Sequence, residues 1–262
     1  MTDASETTPY RMPTVRMLGT EDIRAALLAG AEDFRRAPQY GLFFGGLYAA
    51  GGILLVLAVT SLHMPWLAYP LAAGFALLGP FVAVGLYEVS RRLETGLPLG
   101  WGPVLGAAYA QSGKQLAGMA FITLFIFLIW MYQVRLLMAL FLGGQSFTTL
   151  PGFITVVFTT FDGWMFLAVG HVIGAALSIF VFSLTVVWFP LLLDRDTDVV
   201  TAMITSVKTV VTSPVPMIGW AVIVVAALIL SAVPIFLGLA ITLPILGHTT
   251  WHLYRRAVAP DA

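Results

Sequence analysis

The sequence predicts an all-α fold, a polytopic bundle of transmembrane helices. Two observations carry the prediction. Hydrophobic residues make up 59% of the 262-residue chain and charged residues only 10%, where soluble domains carry about a quarter charged. The apolar residues are also gathered into runs of the roughly 20 residues that a helix needs to cross about 30 Å of hydrocarbon. Within lipid a backbone must satisfy its own polar groups, so such runs are read as helices.

The elements follow in order. Residues 1–19 form a polar tail without an early apolar core, so no cleavable secretory signal is expected there. Residues 20–36 predict an amphipathic helix lying in the cytoplasmic interface. Its apolar side is Ile23, Leu27, Ala31 and Phe34, with Thr20 as N-cap and Glu21 and Asp22 at the positive dipole end. Spans are expected at 41–61 and 66–88. A second, weaker interfacial helix is expected over 101–116, with Val104, Leu105, Ala108, Tyr109 and Leu116 on one side. Spans follow at 117–141 and 164–193.

Asp194-Arg-Asp-Thr-Asp is acidic, but it lacks the length and glycine of a calcium loop. It reads as the solvated start of a third interfacial helix, 197–212, with Thr197 or Asp196 as N-cap. The apolar side of that helix is Val199, Val200, Met203, Ile204, Val207, Val210 and Val211, with Lys208 and the threonines opposite. The last apolar stretch, 216–253, would measure roughly 57 Å as one straight helix, nearly twice the bilayer core. Two short spans, 216–232 and 234–253, fit it, as does one kinked helix. Residues 257–262 form a tail.

Charge placement favours six spans. Of thirteen Lys and Arg, only Arg135 falls on the outer side when the spans number six. The remaining twelve then mark the cytoplasmic side, with both termini inside. The expected location is a bacterial inner membrane. The organisation reads as three copies of interfacial helix, span, span, making one transmembrane domain over 20–256. Two copies end alike. Pro80 is followed eleven and twelve residues later by Arg91 and Arg92, and Pro244 at the same distances by Arg255 and Arg256. Tyr87 and Trp251 hold equivalent places. Arg91, Arg92, Trp251, Tyr254, Arg255 and Arg256 therefore read as interface anchors.

The closing Pro-Ile-Leu-Gly-His-Thr-Thr-Trp-His-Leu-Tyr-Arg resembles the C-terminal signature of an uncharacterised bacterial membrane family, domain of unknown function 2189. The N-terminal amphipathic helix and the span arrangement also resemble that family. The resemblance implies no established activity and no catalytic residues. Some members carry a label linking them to cytochrome oxidase subunit I. With four histidines, this chain falls short of the ligands a haem–copper centre needs. The resemblance leaves open an accessory place beside a respiratory complex.

Candidate chemistry is sparse. The absence of cysteine excludes disulfides and thiolate metal sites. Zero net charge provides no basic surface for nucleic acid. No Gly-rich phosphate loop, Ser–His–Asp arrangement or HExxH zinc motif is present. Away from the interfaces no span carries Asp, Glu or Lys, the residues that ion-coupled transporters place near the midplane. His248 and His252 are four apart, on one helical side, and are weak metal candidates. The gradient from Leu-Pro-Ile-Leu to Tyr-Arg-Arg around them instead reads as a span ending at the interface. His171 lies inside a span and is a weak ligand candidate; a hydrogen bond to a neighbouring helix is the simpler role. Arg135 and Asp162 are expected to pair across the outer side, although Arg135 snorkelling to headgroups is the alternative.

Gly41, Gly45, Gly46, Gly170, Gly174 and Ser178 form small-residue faces for close helix packing. These features predict a protein that is not an enzyme and binds no cofactor. It is expected to be an accessory or scaffold subunit of a membrane complex, respiratory or otherwise energy-transducing, in contact with lipid and other subunits. The alternatives are a transporter or channel for a neutral or lipid-like substrate, and a haem- or metal-binding membrane protein. The oligomeric state is left open.

Overall fold

The computed structural model describes residues 12–61, 68–110, 115–143 and 150–260. Among these residues the secondary structure is helical, apart from one isolated antiparallel bridge, Val15 to Val258. The helices are α1 Thr20–Arg36, α2 Pro38–Thr60, α3 Ala68–Thr95, α4 Trp101–Ala110 and α5 Gln115–Phe141. They continue with α6 Leu150–Thr159, α7 Phe161–Thr185, α8 Trp188–Asp194, α9 Val199–Thr212, α10 Pro214–Ala232 and α11 Leu239–Ala257.

Local chemistry sets several boundaries. Gly19, not Thr20, caps α1, and its N–H donates to the Asp22 carboxylate at 2.9 Å. Asp198, rather than Thr197 or Asp196, caps α9, accepting from the Thr201 N–H at 3.0 Å. The α1–α2 and α9–α10 corners are the same device. Ala37 (φ −136°, ψ 53°) and Ser213 (φ −132°, ψ 59°) each end one helix and precede a proline that opens the next. Proline suits that position because its missing N–H has no intrahelical partner there.

The expected span 164–193 is interrupted. α7 stops at Thr185, and α8 starts at Trp188 after a turn. Pro190 lacks the N–H that would bond back to Val186, which breaks a helix at this point. The orphaned Val187 N–H donates to Ser206 Oγ on α9 at 3.1 Å. The expected outer segment before α7 also holds a helix, α6, folded back at a tight corner. There a Cβ on Gly163 would lie 2.5 Å from the Val156 carbonyl oxygen. The second interfacial segment divides: α4 ends at Ala110, Leu116 belongs to α5, and 111–114 lie outside the described residues.

Among the described residues, four helical stretches are long and apolar enough to cross a membrane: Pro38–Ala58, Leu124–Phe141, Phe161–Asp194 and Pro214–Ala232. α3 and α11, where two further spans were expected, are not among them. α3 ends in Glu-Val-Ser-Arg-Arg-Leu-Glu-Thr and α11 in His-Thr-Thr-Trp-His-Leu-Tyr-Arg-Arg.

Packing follows a cyclic rule. α2 packs between α3 and α11, α5 between α3 and α7, and α10 between α7 and α11. The long helices thus contact in a cycle of order α2, α3, α5, α7, α10, α11, and α3 and α11 also pack on each other across it. The short helices obey the same rule: α1 lies on α11, α4 on α3 and α9 on α7. Each of these three short helices therefore packs on the long helix that precedes it in this cyclic order. The main core, with Trp188, Trp220, Trp251 and Tyr254, gathers where α1, α3, α8, α9, α10 and α11 meet. A smaller one, with Tyr40, Phe44, Leu86 and Val104, joins α2, α3 and α4.

Candidate functional site: a buried polar junction

The C-terminal ends of α3, α8 and α11 converge, and their charged residues meet there. α11 is the hub because α1, α2, α3, α8 and α10 all pack on it. Glu88 on α3 is 1% exposed and holds two guanidinium groups. Arg91 binds it with Nε at 2.7 Å and Nη2 at 2.9 Å, and Arg92 with Nε at 2.6 Å. Spacings of three and four residues put both arginines on the Glu88 side of the helix. The Glu88 hydrogen bonds hold the Arg91 pKa above its ordinary value.

A second carboxylate, Glu94, accepts from Trp251 Nε1 and Arg255 Nε, each at 2.9 Å. Asp194, from α8, accepts from Tyr254 Oη at 2.6 Å and Arg255 Nη1 at 3.0 Å. Arg255 thus ties α11 to both other helix ends. Burial opposes its charge, but Glu94 and Asp194 outweigh burial and its pKa is raised. Burial, then the bond to Asp194, pushes the Tyr254 hydroxyl pKa up, keeping it a proton donor. Trp251 and Tyr254, expected in a lipid-facing aromatic belt, are instead fully buried. The reason is that α11 has protein on most sides. Arg256 reaches Asp22 of α1 at 3.1 Å.

The two closing histidines serve different helices. His252 Nε2 lies 2.7 Å from the buried Asp33 carboxylate of α1. His248 is fully buried, with Nδ1 2.8 Å from Ser90 Oγ of α3, while its Nε2 makes no hydrogen bond. Among the described residues no group of three or more His, Asp or Glu side chains is arranged to hold a metal ion. The junction can do one thing well chemically. Its opposite charges satisfy one another and hold three helix ends together.

The other expected residues lie elsewhere. His171 is exposed on α7, and its Nδ1 sits 2.6 Å from the Leu167 carbonyl oxygen one turn earlier. Arg135 and Asp162 are both exposed, and the ion pairs among the described residues do not join them. Asp162 lies in the first turn of α7, where the helix dipole favours it. Gly41 faces Phe34 and Pro244, and Gly45 faces α11 backbone, while Gly46 faces open space. Gly174 packs under Trp130 and Gly170 near Leu137, both on α5, and Ser178 is exposed.

Sequence reasoning placed Glu88, Glu94 and Asp194 in one cytoplasmic layer with the two histidines, as conceivable metal ligands, but missed Asp22, Asp33 and Ser90 as partners. Glu88 alone carried a local signal of its partners, three and four residues before an Arg pair. The partners of the others are distant in sequence, so no local pattern marks them.

Comparison with known proteins agrees with the membrane character. No curated protein and no solved structure was found to match the chain. Residues 68–194 match the model of a family described as predicted integral membrane protein (DUF2189). The matched stretch covers α3 to α8 and stops short of the C-terminal motif on which the resemblance rested. Over residues 68–194, just under half of its length, the chain is similar to this family of predicted integral membrane proteins.

Proposed function

We propose that the protein is a non-catalytic, multi-pass protein of the bacterial inner membrane, with six spans and both termini cytoplasmic. It acts as an accessory or scaffold subunit of a membrane complex. One observation carries the subunit role. Of the apolar stretch Leu124–Phe141 in α5, only 6% is buried. Its open surface is not purely apolar, because Tyr132 and Arg135 are exposed beside Phe125, Leu128 and Leu136. Polar groups on a span are costly against lipid, and they favour a protein partner that bonds them. The paired charges of the junction support a structural role for the opposite end of the bundle.

A photo-crosslinking amino acid at Tyr132 or Leu136, in native membranes, tests this. A discrete adduct with one other membrane protein is expected from both positions. A control at exposed Leu230 on α10 should give lipid adducts. Lipid adducts alone from α5 would overturn the subunit reading. They would favour the second one, a transporter or channel for a neutral or lipid-like substrate.

A further inference from the structure

α9 is built inside out. Thr201, Thr205, Ser206 and Thr209 are buried, so its hydroxyl-bearing side faces the protein. Those hydroxyls are all engaged. Thr205 and Thr209 donate to the carbonyl oxygens of Thr201 and Thr205 at 2.8 and 2.9 Å. Thr201 donates to the Asp198 carboxylate at 2.7 Å, and Ser206 accepts the N–H freed at the α7–α8 break. The other side is apolar and open, with Val200 63% and Val211 72% exposed and Ile204 beside them. A helix on a water-soluble domain shows the reverse arrangement. The patch continues past the one-residue corner at Ser213 onto exposed Val215 and Val222 of α10, a helix apolar enough to span. Lys208, the one charged side chain of α9, is exposed at the border of the stripe.

α1 holds the equivalent place in the first copy, yet its open surface differs. One apolar side chain, Leu28, is exposed there among the charged Glu21, Arg24, Glu32 and Arg35, paired as Arg24–Glu21 at 3.8 Å and Arg35–Glu32 at 2.9 Å. Its inner side is Ile23, Ala26, Gly30 and Asp33, set against α11.

The geometry points to a division of labour between these equivalent helices: α9 lies in the lipid bilayer at the boundary of headgroups and acyl chains, and α1 stands in water. Val200, Ile204 and Val211 enter the acyl boundary, and the Lys208 stem follows them while its ammonium reaches the headgroup phosphates. Continuity with the apolar surface of α10 identifies the occupant as lipid. Of these two helices α9 then works as the surface anchor, setting the depth of the hairpin that follows it. The inference rests on the membrane character of the chain and not on the subunit role.

The chain has no cysteine, so single-cysteine variants label at one place. V200C, V211C, R24C and E32C would each carry a nitroxide. The full-length protein is placed alone in nanodiscs of phosphatidylethanolamine and phosphatidylglycerol. Collision rates with oxygen, which concentrates in acyl chains, and with a neutral nickel chelate, which stays in water, are then measured. Labels at 200 and 211 are expected to favour oxygen several-fold over those at 24 and 32, and the latter to favour nickel. Nickel rates at 200 and 211 equal to those at 24 and 32 would overturn the inference. Low rates with both reagents at 200 and 211 would also overturn it, because a second copy would then cover the face. All four sites are open to the outside, so the labels leave the fold intact, and unchanged melting temperatures check this.

Discussion

At the scale of single residues, Gly45 and Gly46 show how neighbours diverge. A Cβ on Gly45 would lie 2.6 Å from the Ala240 carbonyl oxygen and 2.8 Å from that of Leu239, whereas one on Gly46 meets nothing within 4 Å. Backbone cannot move aside as a flexible side chain can. Gly45→Ala is therefore expected to destabilise by about 1–3 kcal/mol through overpacking. Gly46→Ala is expected to be neutral or to stabilise by up to about 1 kcal/mol, through helix propensity. Thermal unfolding of the detergent-solubilised variants, side by side, checks the pair, and equal shifts would refute the distinction. Both glycines were legible as small residues on a helix. Which of them touches α11 was not, because α11 follows about two hundred residues later. Gly30 belongs with Gly45: a Cβ there would lie 2.6 Å from the Thr249 N–H nitrogen, so α1 approaches α11 at backbone distance.

At the scale of elements, the turn between α10 and α11 is the strained one. Ile235 and Phe236 both hold positive φ, 52° and 63°. In this left-handed region a Cβ crowds the backbone, at roughly 1–2 kcal/mol per residue. Phe236 is held there because its ring fills the notch over Gly52 on α2, where a Cβ would lie 2.6 Å from the Phe236 Cβ. Ile235 is exposed and gains no such packing. Ile235→Asn, which tolerates the left-handed region, is expected to stabilise by about 1 kcal/mol, measured as a rise in melting temperature. A fall would mean that Ile235 makes contacts its exposure does not reveal. The apolar pattern predicted two short spans with a tight turn near Ser231–Pro234, and the turn lies just beyond, at 233–238, but its left-handed residues were not legible. Pro234 and Gly238 bracket the bend, but its two left-handed positions are held by Ile235 and Phe236 rather than the Gly, Asn or Asp that usually mark them.

At the scale of the whole molecule, the two ends of the chain close the cycle. The Arg16 N–H donates to the Ala257 carbonyl oxygen at 2.7 Å, and the Ala259 N–H to that of Thr14 at 2.9 Å. Val15 and Val258 therefore face each other as a non-hydrogen-bonded antiparallel pair, whose Cα separation of roughly 4.5 Å suits a disulfide. The Leu18 N–H adds a bond to Ser213 Oγ at 2.8 Å, tying the same segment to the α9–α10 corner. In a chain without cysteine, V15C/V258C is expected to oxidise to a single intramolecular disulfide. Closing so long a loop should stabilise by about 5–6 kcal/mol in the chain-entropy model. Non-reducing electrophoresis and a melting curve with and without reductant read the outcome. A variant that stays reduced under mild oxidant would refute the pairing of the termini.

The sequence by itself determined the membrane class and the helical content. These depend on apolar run length and local periodicity, which a linear chain displays in full. It also marked the Arg pairs that end two of the copies. Tertiary structure alone decided what the ends of those copies do. Trp251 and Tyr254 have the composition of a lipid-facing belt, yet α1, α3 and α8 cover them, and their polar atoms bond Glu94 and Asp194. His248 and His252 share a helix side but turn to Ser90 and Asp33 on different neighbours. The physical reason is the same each time. A polar group on an apolar helix must find a partner, and its chemistry says that one exists without saying where in the chain it lies.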